Sequence, residues 1–234
     1  IEAVNDITAY EGYAVSFSPV CNRIYDMVRE PEIIRSERRE EPMRFPAVAI
    51  RELLGNLLIH QDLSVSGSGP LVEVFASRIE GSNPGSLLVP KDRIIDAPPR
   101  VRNEALAAFL RRIHICEERG SGFDRMEEGM ASMFLPSPLV DTGPDYTRIK
   151  LFSYPDFSSW TKDDRIRTCY MATCLRYIES IPVSNAMLRD RFGIPEKNSA
   201  VVSRIVKEAI AENRIRILDE SAGAKARRYI PYWA

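Results

Sequence analysis

Residues 50–62, "IRELLGNLLIHQD", constrain the fold more than any other stretch of the chain. Ile50, Leu53, Leu54, Leu57 and Leu58 recur at the i, i+3, i+4, i+7, i+8 spacing of a helix whose apolar stripe faces a core. Glu52, Asn56 and His60 stand four apart, so they line up along a different face of the same helix. Such a row has two readings: a solvated face, or an acid, an amide and an imidazole presented to a ligand. The rest of the chain bears on the choice.

With 234 residues, 44% hydrophobic and 28% charged, the chain suits one large or two ordinary globular domains. No run approaches the roughly 18 apolar residues of a membrane span, and no signal-peptide pattern opens it. No membrane partner and a cytoplasmic location are therefore expected. The sequence begins with Ile1, which reads as a fragment of a longer protein. Cys21, Cys116, Cys169 and Cys174 form no CxxC pair, and with only His60 and His114 beside them a zinc site is not expected. From Thr161 onward there are 14 Lys and Arg against 9 Asp and Glu; before it, 18 against 24. A basic C-terminal third behind an acidic body points toward a module that faces nucleic acid.

Three segments are expected: 1–45, a strand and helix packing on the next domain; 46–155, the main domain; and 161–234, a basic module. "YAVSFSPVCNRIYDMV" reads as a short strand and a helix, and "RSERREEPMRFP" as a charged connector ending at Pro46, at the first turn of the next helix. "PLVEVFASRIEGS" predicts two strands around a turn near Ser77 and Arg78, "RNEALAAFLRRI" a helix, "GFDRMEEGMASMFL" a helix and "PDYTRIKLFSYP" a closing strand. Helices alternating with mostly antiparallel strands give an α/β fold, an α+β two-layer sandwich. "DFSSWTKDD" would be the linker. The last third reads as helix, short helix, Gly-Ile-Pro turn, longer helix, strand, turn and strand, the order of a winged helix.

A site for ATP needs a phosphate grip, a hold on Mg²⁺ and a group that orients water. No GxxxxGK[ST] is present. In "ERGSGFDRM", Gly120 and Gly122 would let backbone approach a polyanion at a helix start, although a plain turn explains the same residues. The acidic run "RMEEGM" is most simply a solvated helix face.

"FPAVAIRELLGNLLIHQDL", "RIEGSNPGSL", "RNEALAAFL" and "EERGSGFDRMEEGM" occur in the order and spacing of the Schlafen/AlbA-type transcriptional regulators, often labelled RecG-like helicases. The resemblance covers about residues 12–153. It implies a GHKL-type, Bergerat-like domain that binds ATP with Mg²⁺ and at most hydrolyses it weakly; nothing here resembles a helicase motor. It also implies a Schlafen/AlbA DNA-binding domain ahead of residue 1. By resemblance, Glu52 and Asn56 match the E-x-x-x-N box, with Glu52 polarising water and Asn56 giving an oxygen to the metal. His60 and Asp62 match an H-x-D helix ending that orders the loop. Asn83 and Gly85 stand where the superfamily has Asp-x-Gly to recognise adenine, Arg102 and Asn103 match an Arg-Asn pair, and Gly120 and Gly122 match the phosphate-side glycines.

In a winged helix the second helix of the turn enters the DNA groove while basic groups hold phosphates. That helix, about Lys197–Glu212, carries Ser199, Ser203, Arg204 and Lys207 outward, with Ala200, Val201, Ile205, Val206, Ala209 and Ile210 as its buried stripe. The wing adds Arg214, Arg216, Lys225, Arg227 and Arg228. Winged helices also serve as protein–protein and homodimer modules, and that reading stays open. Tyr229, Tyr232 and Trp233 would pack the hairpin onto its helices or a partner. Two functions are compatible with these features: a DNA-binding transcriptional regulator responsive to ATP, or a non-enzymatic one whose GHKL-like domain is a scaffold or dimerisation unit.

Overall fold

The computed structural model describes residues 8–29, 33–35, 38–40, 44–116, 122–154, 156–223 and 226–234. Tyr13–Val28 form one helix, α1, including Pro19, so the strand expected at its start does not form. Its buried residues, Phe17, Cys21, Ile24 and Val28, repeat at helical and not at strand spacing. Within the charged stretch beyond it, Ile33–Arg35 (β1) and Arg38–Glu40 (β2) pair antiparallel, a hairpin where a connector was expected.

Ala47–His60 form α2 directly after Pro46. It is buried on more than its leucine stripe: Ala49, Glu52 and Gly55 are buried as well as Ile50, Leu53, Leu54 and Leu57. A helix buried on most of its faces is an interior helix, and α2 packs against both α1 and the sheet. The sheet has four strands in the order β3-β4-β6-β5, antiparallel throughout: Leu71–Val74 (β3), Arg78–Pro84 (β4), Leu139–Thr142 (β5) and Tyr146–Phe152 (β6). Leu139–Thr142 is a strand that the sequence pattern did not mark. Glu104–Arg112 (α3) and Gly122–Ser132 (α4) complete this part, α4 lying along α2. It is a mixed α and β fold on an antiparallel sheet, as the α+β reading expected.

The stretch expected as a linker is packed. Trp160 is 3% exposed, and its ring lies 5.2 Å from Phe157 and 5.9 Å from Phe192. Lys162–Ile178 (α5) begins through a reciprocal cap: Thr161 Oγ1 accepts from the Asp164 N–H at 3.1 Å, and the Asp164 carboxylate accepts from the Thr161 N–H at 3.0 Å. Ser184 caps Asn185–Arg191 (α6) by accepting from the Met187 N–H at 3.2 Å. Ser199–Ala211 (α7) buries Val202, Ile205, Val206 and Ala209. Val202 takes the place expected of Ala200, which is exposed; Val201 and Ile210 are half-buried. Ile215–Ile217 (β7) and Tyr229–Pro231 (β8) form an antiparallel ribbon, and a bridge joins Val183 to Tyr229. Buried apolar residues make one connected cluster from Phe17 to Tyr229, so the C-terminal elements share a core with the sheet.

Candidate functional site

The row on α2 is buried at Glu52 and half-buried at Asn56 and His60. Glu52 is 9% exposed, and with Asn56 and His60 it lines a cleft that reaches Asn83 and Thr147 at one end and Gly122 at the other. The loop from Ser86 to Val101 forms the outer wall, offering Leu87, Leu88, Ile94 and Pro98 among others. An apolar slot with a few polar groups at its ends is the usual form of a small-molecule site.

At the deep end, Asn83 is 4% exposed. Its Nδ2 donates to the Leu57 carbonyl at 3.0 Å. A carbonyl only accepts, so this bond fixes the amide's orientation and leaves Oδ1 facing the other way. That oxygen is buried without a hydrogen-bond partner among the described residues. An unmatched buried acceptor costs about 1–3 kcal/mol, which a ligand N–H would offset. Thr147 sits opposite Asn83 in the β4–β6 register, its hydroxyl donating to the Gly85 carbonyl at 2.8 Å.

At the other end, α4 starts against the acid and amide of α2. A Cβ at Gly122 would lie 3.1 Å from Glu52 Oε2, close enough to press on it, and 3.5 Å from Asn56 Oδ1, in ordinary contact. Arg125, on the next turn, places Nη1 3.4 Å from Glu52 Oε1. The first turn of α4 also supplies backbone N–H groups of the kind that bind anions. The Asn56 amide oxygen suits Mg²⁺ and the helix N-terminus suits the phosphate oxygens that would share it, with the Glu52 carboxylate beside both. Cys116 lines the same cleft, but burial, then the Glu52 charge, push its thiol up to about 11, so it stays protonated.

Arg102 and Asn103 support the site from beneath. Arg102 Nε donates to the His60 carbonyl at 3.1 Å and Nη2 to the Ser86 carbonyl at 2.7 Å; Asn103 Nδ2 donates to Gln61 O at 2.8 Å and Ile59 O at 3.2 Å. They satisfy the carbonyls at and just beyond the C-terminal end of α2 and tie it to the outer loop. Gly85 has φ +106°, and a Cβ there would meet Asp62 at 3.1 Å and Arg102 at 3.2 Å, so backbone conformation and space both require glycine. Asp62 accepts from the Ser64 N–H at 3.0 Å and from its hydroxyl, holding the turn after α2. Burial, then the Arg102 charge, lower His60 to about 4, leaving a neutral imidazole in the wall at neutral pH.

Thus Glu52, Asn56, Asn83 and Gly122 converge on one cleft, while Gly85, Arg102 and Asn103 shape it. Gly120 and Lys225 lie outside the described residues. Thr147, Arg125 and the apolar outer loop escaped sequence reasoning; nothing in "DYTRIK" marks the threonine until the register sets it beside Asn83. Glu127 is a correction: in place of a solvated face, it is 1% exposed and ion-paired to Arg191 of α6 at 2.9 Å. Of the basic set, Lys197, Arg204, Lys207, Arg214, Arg216, Arg227 and Arg228 are exposed, as are Ser199 and Ser203.

Residues 67–151 match the family described as "Putative ATP-dependent DNA helicase recG C-terminal". The match supports an ATPase-like domain and includes Asn83, Gly85 and Gly122, while Glu52 and Asn56 precede it. Among solved structures the chain resembles the DIP2311 protein from Corynebacterium diphtheriae, with 14% identity and a TM-score of 0.56, over 93% of this chain and 45% of that one. At that identity the likeness concerns the fold, and the chain spans less than half the length of that structure. No curated protein matches it. Among the described residues no helix is long and apolar enough to cross a membrane.

Proposed function

We propose that the chain binds a Mg²⁺-adenine nucleotide in this cleft and works as a nucleotide-responsive, DNA-binding transcriptional regulator of the Schlafen/AlbA type. The observation that carries the nucleotide reading is the buried, unmatched Oδ1 of Asn83 at the end of an apolar slot. Adenine presents an amino donor where guanine presents a carbonyl, so the acceptor favours adenine and would be left unpaired by guanine. When bound, Mg²⁺ would supply charge neutralisation for the phosphates, with Asn56 the residue to hold it and Glu52 the one to polarise water. Glu52 is engaged by Arg125, so polarising water requires that arginine to move. This favours binding with slow hydrolysis over rapid turnover.

DNA binding is assigned to the C-terminal elements, read as a winged helix. The order α5, α6, α7 and the β7–β8 ribbon, with the Val183–Tyr229 bridge as a third short pairing, supports it. Arg204 and Lys207 on α7, and Arg227 and Arg228 beside the ribbon, are exposed, which is compatible with a role as phosphate contacts.

Calorimetric titration with Mg-ATP and Mg-GTP tests the nucleotide reading. The expected result is roughly micromolar ATP binding, with GTP weaker by about tenfold or more and the difference abolished in Asn83→Ala. A folded sample giving no heat at millimolar nucleotide would overturn it and leave the cleft domain as a scaffold.

A further inference from the structure

Both walls that enclose the cleft end on the C-terminal elements. The outer loop turns at Lys91–Arg93 before supplying Ile94 and Pro98 to the cleft. There the Tyr232 hydroxyl donates to the Asp92 carboxylate and the Tyr170 hydroxyl to the Asp92 carbonyl. Trp233 Nε1 donates to Tyr170 Oη at 3.0 Å, and the Arg93 guanidinium stands 4.2 Å above the Trp233 ring. The inner wall is α4, which meets Glu52 and Asn56 at Gly122. Further along α4, Glu127 Oε1 accepts from Arg191 Nη2 at 2.9 Å and from Nε at 3.3 Å. The chain leaving α4 is tied as well: the Ser137 N–H donates to Thr168 Oγ1 at 3.0 Å, and Arg167 Nε donates to the Ser137 carbonyl at 3.0 Å.

We infer that the C-terminal unit is the clamp that sets the spacing of the two cleft walls, so that nucleotide in the cleft and the conformation of α6 and the chain's last residues are energetically coupled. This rests on the reading of the cleft as a nucleotide site. A ligand that draws the outer loop toward α4 pulls on Asp92 and Glu127, and both lead to groups of α5, α6 and the tail. Hydrogen bonds to Asp92 and Glu127, and the backbone of the outer loop and of α4 that carries them, join the cleft to these elements, the kind of route along which coupling travels. Glu127 Oε2 and Arg191 Nη1 are buried and lack hydrogen-bond partners among the described residues, so the pair is held without being fully satisfied. An incompletely satisfied buried pair is better suited to choosing between arrangements than to adding stability. Coupling is reciprocal: whatever the C-terminal unit binds alters nucleotide affinity by the same factor. Arg191, Tyr232 and Trp233 are thus positioning residues for a cleft they do not line.

Hydrogen–deuterium exchange with and without saturating Mg-ATP tests this, with occupancy checked by calorimetry on the same samples. In the wild type, exchange in 185–191 and 229–234 is expected to slow by about threefold or more, along with the cleft itself. In Glu127→Leu with Arg191→Met, and separately in Trp233→Ala, Mg-ATP still binds and protection stays confined to the cleft. A wild type that binds Mg-ATP with no remote change overturns the clamp while leaving the nucleotide site intact. Remote protection that persists in both variants overturns this route. No binding at all overturns the cleft reading and the clamp with it.

Discussion

Replacing Arg191 by Met would leave Glu127, 1% exposed, as a buried carboxylate stripped of its ion-pair partner. Removing one member of a buried pair costs about 3–5 kcal/mol, because the remaining charge has neither water nor a counter-ion. For a chain of this size each kcal/mol moves the melting midpoint by roughly 2–4 °C, so the loss is on the order of 10 °C. Glu127→Leu alone should cost a similar amount through the stranded guanidinium. The two changes together should return stability to within about 1 kcal/mol of wild type, since an apolar pair of similar volume carries no desolvation penalty. Urea titration followed by tryptophan fluorescence reads all four proteins, with Trp160 buried beside α6 and Trp233 on Tyr170 as reporters. A loss below about 1 kcal/mol in Arg191→Met, or additive effects in the double variant, would refute the buried-pair argument.

Gly122→Ala should leave folding intact, since alanine is the better helix former, yet weaken Mg-ATP by about tenfold because the new Cβ crowds Glu52 and fills space beside Asn56; an unchanged Kd would remove Gly122 from the site. Two groups oppose each other in acid. His60, lowered to about 4, is protonated in the unfolded chain before the folded one, so stability falls as pH drops from about 6.5 toward 4. Asp124 is raised to about 6 by burial and then by Glu128, so it holds a proton in the folded state that the unfolded chain releases, and stability rises as pH falls from about 6. Asp124→Asn should therefore lose stability more steeply than wild type on acidification, and His60→Asn less steeply; urea midpoints between pH 4.5 and 6.5 that ignore either change would contradict the assignment. Arg227→Ala with Arg228→Ala should lower the slope of log K against log salt for duplex DNA by about 2, and a slope equal to wild type would rule these residues out as phosphate contacts.

Local pattern carried much of the architecture. The leucine spacing of α2 and the strand–turn–strand of "LVEVFASRIEG" are each written within a dozen residues, where backbone periodicity is the only information needed. Glu52, Asn56, Asn83 and Gly122 were legible as candidates because their residue types and order matched a known pattern. Local reading failed where burial or pairing came from elsewhere. Charged Arg38–Glu40 gave no strand signal, and Tyr13 looked extended only because its helical partners lay further along α1.

What the sequence by itself determined is therefore the inventory: an interior helix bearing an acid and an amide, an antiparallel α+β body, a basic helical end. Tertiary structure alone decided which of those groups meet. Whether Asn83 has an idle oxygen depends on the Leu57 carbonyl across the layer, and whether Thr147 stands beside it depends on the β4–β6 register. "RMEEGM" looks the same whether Glu127 faces water or Arg191, because an acidic residue's charge is local and its environment is not. A side chain's chemistry is set by its covalent structure, but its burial and partners come from segments far along the chain, and those result from packing the whole core at once.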